Sequence, residues 1–153
     1  MTALPSTIGA LQSLKIMQIG SNPLTEISVA LLTGLQSLDE LWIDNVALTA
    51  FPPELGGLQS LKLLQLDSNR LIGLSPEIGN LKSLEALHIG NNQLASLPAE
   101  IKGLQNLKLF QASNNGLMDL PAGFGDLKSL EHLNLSFNHL ESRFQPRLSG
   151  FNR

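Results

Sequence analysis

One frame, L-x-x-L-x-L/I-x-x-N-x-L, recurs along this chain, and nothing else in the sequence restricts its fold as strongly. The clearest copy is Leu84 to Leu94, LEALHIGNNQL. Aligned on the asparagine position, the copies fall at Asn22, Val46, Asn69, Asn92, Asn115 and Asn138, in steps of 24, 23, 23, 23 and 23 residues. A fixed period in this range specifies a solenoid, in which each unit buries its apolar face against its neighbours instead of around a closed core. The 153 residues divide into six repeats over 1–142 and a tail or partial cap over 143–153, the frame having dissolved beyond Leu140.

Two periods alternate inside each unit. The L-x-L step is that of a strand with one face buried, so each repeat is expected to carry a strand of about three to five residues, parallel to its counterpart in the next repeat. The return limb reads P-x-E-I-G-x-L. Pro98 suits a first helical position, Glu100 favours the positive end, and Leu97, Ile101, Leu104 and Leu107 recur at helical spacing, which predicts a short helix or 3₁₀ turns. Strands stack about 4.8 Å apart, whereas packed helices need about 8–10 Å. The fold class is therefore α/β: a curved solenoid with parallel strands on the concave face and short helices or 3₁₀ turns on the convex one.

Several columns of the alignment have structural work. A buried Asn can satisfy backbone groups in the turn that ends each strand, shared from repeat to repeat. Val46 cannot, so repeat two either leaves a buried group unpaired or adopts another turn using Asn45. The stretch Ile27 to Leu35, one residue longer than Leu4 to Leu11, favours another turn. A second column, Lys15, Asp39, Lys62, Glu85, Lys108 and Glu131, alternates in sign and predicts a ladder of ion pairs serving register and solubility. In repeat one, Leu4, Ile8, Leu11, Leu14, Met17, Ile19 and Leu24 are expected to point inward. Met1 to Pro5 superimposes on Leu94 to Pro98, as if the chain began inside a repeat. That suggests a fragment of a longer array, or an uncapped N-terminal end that forms a homo-oligomer. At the other end, Phe144, Leu148 and Phe151 are expected to fold back over the last repeat, leaving Arg143, Arg147 and Arg153 in water.

The candidate functional surface is the concave face. Its exposed columns read Ile16, Glu40, Leu63, Ala86, Leu109, His132; then Gln18, Trp42, Gln65, His88, Gln111, Asn134; then Gly20, Asp44, Asp67, Gly90, Ser113, Ser136. Trp42, the only tryptophan, lies beside Glu40, Asp44 and Asp67 with Arg70 near, the composition of an interface hot spot; packing flat on its neighbours is the simpler alternative. Leu63 and Leu109 with Ile16 make an apolar stripe that could serve as a contact surface. The candidate partner-binding residues are Glu40, Trp42, Asp44, Leu63, Gln65, Asp67, Arg70, His88 and Leu109. His88 and His132 sit two strands apart, which argues against a shared metal. Ser113 and Ser136 have no base at hand, Asp44 and Asp67 have no evident acid partner, and the glycines fit no phosphate-binding frame. No catalytic residue, metal or cofactor is expected. Asn134-Leu135-Ser136 is a formal glycosylation sequon that arises readily from the repeat itself.

Composition narrows the partner. A net charge of −3 with 15% charged residues points to neither nucleic acid nor an anionic membrane. The first ten residues hold no basic and apolar leader, and no apolar run approaches the roughly 18 to 20 residues of a membrane span. Cysteine is absent, so there is no thiol chemistry.

The unit L-P-x-x-I-G-x-L-x-x-L-x-x-L-x-L-x-x-N-x-L, followed at Leu97–Leu117 except for Lys102, Phe110 and Ala112 in place of Gly, Leu and Leu, resembles the 23-residue leucine-rich repeats of the Ras-suppressor and plant intracellular Ras-group-related type, which many bacterial repeat proteins share. The resemblance implies a non-enzymatic adaptor, a signalling scaffold that binds proteins on its concave face, small GTPases among them. Secreted repeats of this kind commonly carry disulfide-bonded caps, so the lack of cysteine leans towards the cytoplasm. Extracellular plant receptor ectodomains are a neighbouring class, but favour a 24-residue unit with I-P. The alternatives are a truncated or engineered scaffold that self-associates, or the sensor part of a larger receptor kinase or GTPase.

Overall fold

The structure is a computed structural model that describes residues 3–24 and 29–141, side chains being described from Leu31 onward in the second segment. The expected C-terminal cap (Phe144, Leu148, Phe151) and the start of the irregular stretch at Ile27 lie outside the described residues. Six strands form one parallel sheet in chain order: β1 Ile16–Gln18, β2 Glu40–Trp42, β3 Leu63–Gln65, β4 Ala86–His88, β5 Leu109–Gln111 and β6 His132–Asn134. Each pairs only with its neighbours in sequence, so every connection is one return limb.

Those limbs are 3₁₀ turns at Ser6–Ala10, Pro53–Gly57, Pro76–Asn80, Ala99–Gly103 and Ala122–Asp126, and a single α-helical turn, α1 (Val29–Leu32), in the irregular second repeat. The helical spacing read from Leu97, Ile101, Leu104 and Leu107 holds, all four being buried, but the prolines stand one step earlier than expected. Pro98 precedes its turn in an extended conformation (φ −68°, ψ 149°), as do Pro5, Pro52 and Pro121. Proline's fixed φ suits extended backbone equally well, and the Pro98 carbonyl accepts the Ile101 N–H at 3.1 Å, opening the turn from outside. Among the described residues, only Pro53 and Pro76 occupy the first position itself.

The core is a continuous column of leucines between sheet and turns. Where a phenylalanine replaces leucine in β5, Phe110 meets Phe124 of the next limb edge to face, ring centroids 5.6 Å apart. Each such fully buried side chain contributes about 1.5–3 kcal/mol. Repeat one departs from expectation: Leu11 is 49% exposed, whereas its equivalents Leu35, Leu58, Leu81 and Leu104 are buried. Those four are covered by the repeat before them; Leu11 has no described repeat on that side.

Glycine sets how close the convex limbs come. A Cβ at Gly56 would lie 2.5 Å from the Glu77 carbonyl oxygen, and one at Gly79 would collide with that of Glu100. The limbs thus touch backbone to backbone, closer than α-helices bearing side chains could, and the array bends less than packed helices would impose.

Two hydrogen-bonded spines hold the repeats together. In the first, Asn92 Nδ2 donates to its own Ile89 and Gly90 carbonyls and to Leu66 of the repeat before, while its Oδ1 accepts the Leu71 N–H. Asn115 and Asn138 repeat the pattern. The second spine was not anticipated from sequence. In repeats two to six the long side chain just after the convex turn binds its own turn and, at three of them, the next: Gln59 Nε2 reaches Gly56 and Asn80 oxygens, Lys82 Nζ those of Gly79 and Gly103, and Gln105 Nε2 those of Lys102 and Asp126, while Gln36 and Lys128 reach only their own.

Repeat two does adopt another turn, though not through Asn45. Every repeat places one non-glycine residue in the left-handed region just before the asparagine position: Ser21, Asn45, Ser68, Asn91, Asn114 and Phe137. Repeat two adds a second, Ala47 at φ 59°. Asn45 merely bonds Ser21 Oγ at the rim, as Asn114 does Asn91. Asn69 of the following repeat serves the turn, its Oδ1 accepting both the Val46 and Leu48 N–H groups. The charge column also needs correcting. Only Lys108 and Glu85 form an ion pair among the described residues, at 3.2 Å. Register comes instead from the backbone of that column: the carbonyls of Lys15, Asp39, Lys62, Glu85 and Lys108 each accept two successive N–H groups of the next repeat.

Candidate binding face

Strand register aligns the concave columns as the sequence frame predicts. Ile16, Glu40, Leu63, Ala86, Leu109 and His132 form one row, and Gln18, Trp42, Gln65, His88, Gln111 and Asn134 the next. Glu40, Trp42, Leu63, Gln65, His88 and Leu109 therefore share one sheet face, and Asp44 and Asp67 follow on adjacent strand ends. Arg70 stands apart, beyond the rim and the asparagine ladder, where its N–H bonds the Leu48 carbonyl. The stripe of Ile16, Leu63 and Leu109 is interrupted by Glu40 and Ala86 in the same row, and Leu63 and Leu109 are half-buried.

Trp42 is half-buried, and its indole N–H donates to Glu40 Oε2 at 3.1 Å. Both residues project from one face of β2 because they are two apart. The bond fixes the ring and leaves its polar edge satisfied. Asp44 leans the other way: a Cβ on Gly20 would lie 2.5 Å from Asp44 Oδ1, so the carboxyl fills the space that glycine leaves.

The amides just past the strands explain the polar residues around Trp42. Gln65, Gln111 and Asn134 each accept, with the side-chain oxygen, the N–H two residues on, at Asp67, Ser113 and Ser136. His88 stands at that position in repeat four, and Asp67 of the repeat before supplies the acceptor, its Oδ1 lying 2.6 Å from the Gly90 nitrogen. Burial raises the Asp67 carboxyl above its ordinary value, opposed by the Gly90 bond, by His88 and by Gln65, and assisted by Asp44 on the adjacent strand. Sequence reading missed this structural role; the clue was a histidine replacing Gln or Asn in the column with an Asp next door. Asn134 of the sequon is half-buried in β6 and caps Ser136, a constrained setting for an acceptor of sugar.

The remaining candidates stay dispersed. β5 separates His88 from His132, and among the described residues no group of His, Asp and Glu is arranged to hold a metal. No helix among the described residues is long and apolar enough to cross a membrane.

The sequence matches the leucine-rich repeat region family over residues 53–149. This chain is a leucine-rich repeat protein. No curated protein matches it. Among solved structures it is similar to a leucine-rich repeat protein of Leptospira interrogans, at 39% identity and a TM-score of 0.87 over 92% of this chain. Internalin C2 of Listeria monocytogenes shares 26% identity with a TM-score of 0.80, covering 96% of this chain and 62% of its own. The plant peptide hormone receptor RGFR1, solved in complex with RGF2, shares 26% identity with a TM-score of 0.75 over 91% of this chain and 27% of its own. The present leucine-rich repeat chain spans about a third of the Leptospira protein, 36% of its length.

Proposed function

We propose that this leucine-rich repeat protein is a protein-binding module without catalysis of its own, and that its partner docks on the strand face around Trp42. The observation that carries the reading is the large aromatic ring held on an open sheet face by Glu40, amid Gln65, Asp44, Asp67 and His88. Amphipathic aromatics with locked rotamers bind with little ordering cost. The plant receptor relative, solved with RGF2, supports a ligand-binding role for such an array. The lack of cysteine suits a reducing compartment, and the repeat type suits a signalling protein, small GTPases included, as partner.

The test is a pull-down from cell extract with the parent chain and Trp42→Ala side by side, both shown folded by circular dichroism. A partner held by the parent and lost by the variant supports the reading; equal capture by both would sink it. A second reading, self-association through repeat one, rests on the exposed Leu11 and on Ile16, exposed on the edge strand β1. Sedimentation equilibrium of the parent against Leu11→Lys, Ile16→Lys separates the two: a dimer abolished by the lysines supports self-association, and a monomer in both removes it.

A further inference from the structure

Resting on that reading of the strand face, we propose that its occupant is an extended peptide segment carrying arginine or lysine, whose cationic head seats on Trp42 between Glu40, Asp44 and Asp67. Three observations on the face lead there. Its charged side chains are one-sided: the three rows contain Glu40, Asp44 and Asp67 and no lysine or arginine, only His88 and His132. The three carboxylates are not spread along six repeats but gathered on the ends of β2 and β3, around the single tryptophan. Lastly, the Glu40 carboxylate accepts the indole N–H. This fixes the ring edge-on to an anion, which enriches the ring face that a cation would approach.

The basic groups of neighbouring repeats do not neutralise the cluster. Lys15 and Lys62 stand before the leading ends of the strands, near Glu40 but in one column with Asp39 and Glu85 and at the far end from Asp44 and Asp67, and Arg70 lies beyond the rim. Asp44 and Asp67 sit on adjacent strands, where like charges repel. A bound cation relieves that repulsion, and the half-buried setting strengthens its attraction relative to open solvent. An acidic or purely apolar segment would leave it in place.

The single tryptophan makes the test direct. Blocked peptides Ac-Ser-Thr-X-Val-X-Thr-Ser-NH2 with X as Arg, Lys, Gln or Glu are titrated into the protein while its emission is recorded. Arg and Lys peptides are expected to shift the emission saturably, with Gln at least about tenfold weaker and Glu silent, and the preference shrinking in high salt. In the Asp44→Asn, Asp67→Asn variant, which keeps side-chain acceptors, the Arg-over-Gln preference should vanish while the fold and emission of the free protein persist. Equal binding of Gln and Arg peptides would overturn the charge assignment and leave the binding face standing. A response to spermidine matching that to the Arg peptide would overturn a peptide occupant. Silence from every peptide also overturns the assignment, and the Trp42→Ala pull-down then decides the face independently.

Discussion

Asn69 takes one bond more from the preceding repeat than Asn92, Asn115 or Asn138 does, its Oδ1 accepting the Val46 N–H as well as that of Leu48. Val46→Asn restores the frame in sequence but not the ladder, because the Leu24 N–H that its oxygen would accept already bonds the Asn22 carbonyl at 2.8 Å, and Ala47 has turned the backbone aside. Burying an amide without partners costs about 1–3 kcal/mol, so the variant should melt lower than the parent in thermal denaturation; a clear rise would show an ordinary lapse in the frame. Ala47 itself is strained. Ala47→Gly relieves a left-handed cost of roughly 1–2 kcal/mol against an entropic loss of about 0.5–1 kcal/mol, and should raise the urea midpoint modestly. Asp67 gives a prediction in pH. Its folded value is raised above the ordinary 3.8, burial being the largest cause, so the folded state holds that proton more tightly than the unfolded chain. Its contribution to stability is full below the unfolded value and is lost as pH rises through the folded one. Asp67→Asn retains an acceptor for Gly90 and removes that loss, so its melting temperature relative to the parent should climb between acid and neutral pH; a constant difference would contradict the desolvation.

At the scale of elements, most of the architecture was legible because it is written six times over. Strand positions, faces and register followed from the alternation of leucines, and the return limb from the spacing of Leu97, Ile101, Leu104 and Leu107. What escaped were features whose cause lies in a neighbouring repeat. Gln59 and Lys82 look like surface residues in their own unit, yet they tie adjacent convex turns. Asp67 looks like a ligand residue, yet it caps Gly90 across a strand gap. The alternating charges looked like a register device, yet backbone carbonyls do that work. The candidate face was legible as a list of residues, whereas the Trp42–Glu40 bond that orders it was not. A close convex approach supplies the element-scale prediction. Gly79→Ala drives a methyl into the Glu100 carbonyl and should cost about 1–3 kcal/mol by denaturant unfolding, more than the same change at Gly57, where nothing lies within 4 Å. Equal effects would show that limb spacing adjusts freely.

Across the whole molecule the asparagine spine is unequal. Asn69, Asn92, Asn115 and Asn138 each reach back into the preceding repeat, whereas Val46 has no polar side chain with which to bridge repeats one and two. In an array held by nearest-neighbour terms, opening begins where those terms are weakest. Native-state hydrogen exchange should therefore be faster at Ile19 than at Ile43, Ile89 and Ala112, although all four N–H groups are bonded to the next repeat; uniform protection would show that leucine packing alone sets the cooperativity. The same inequality gives the molecule a mechanical direction. Stretched along its length, it is a spring whose coils are stapled to one another from the second onward and loose only between the first and second, so tension would be absorbed on the β1 side of Trp42. A ligand seated across β2 and β3 would keep its hold while the first coil yielded.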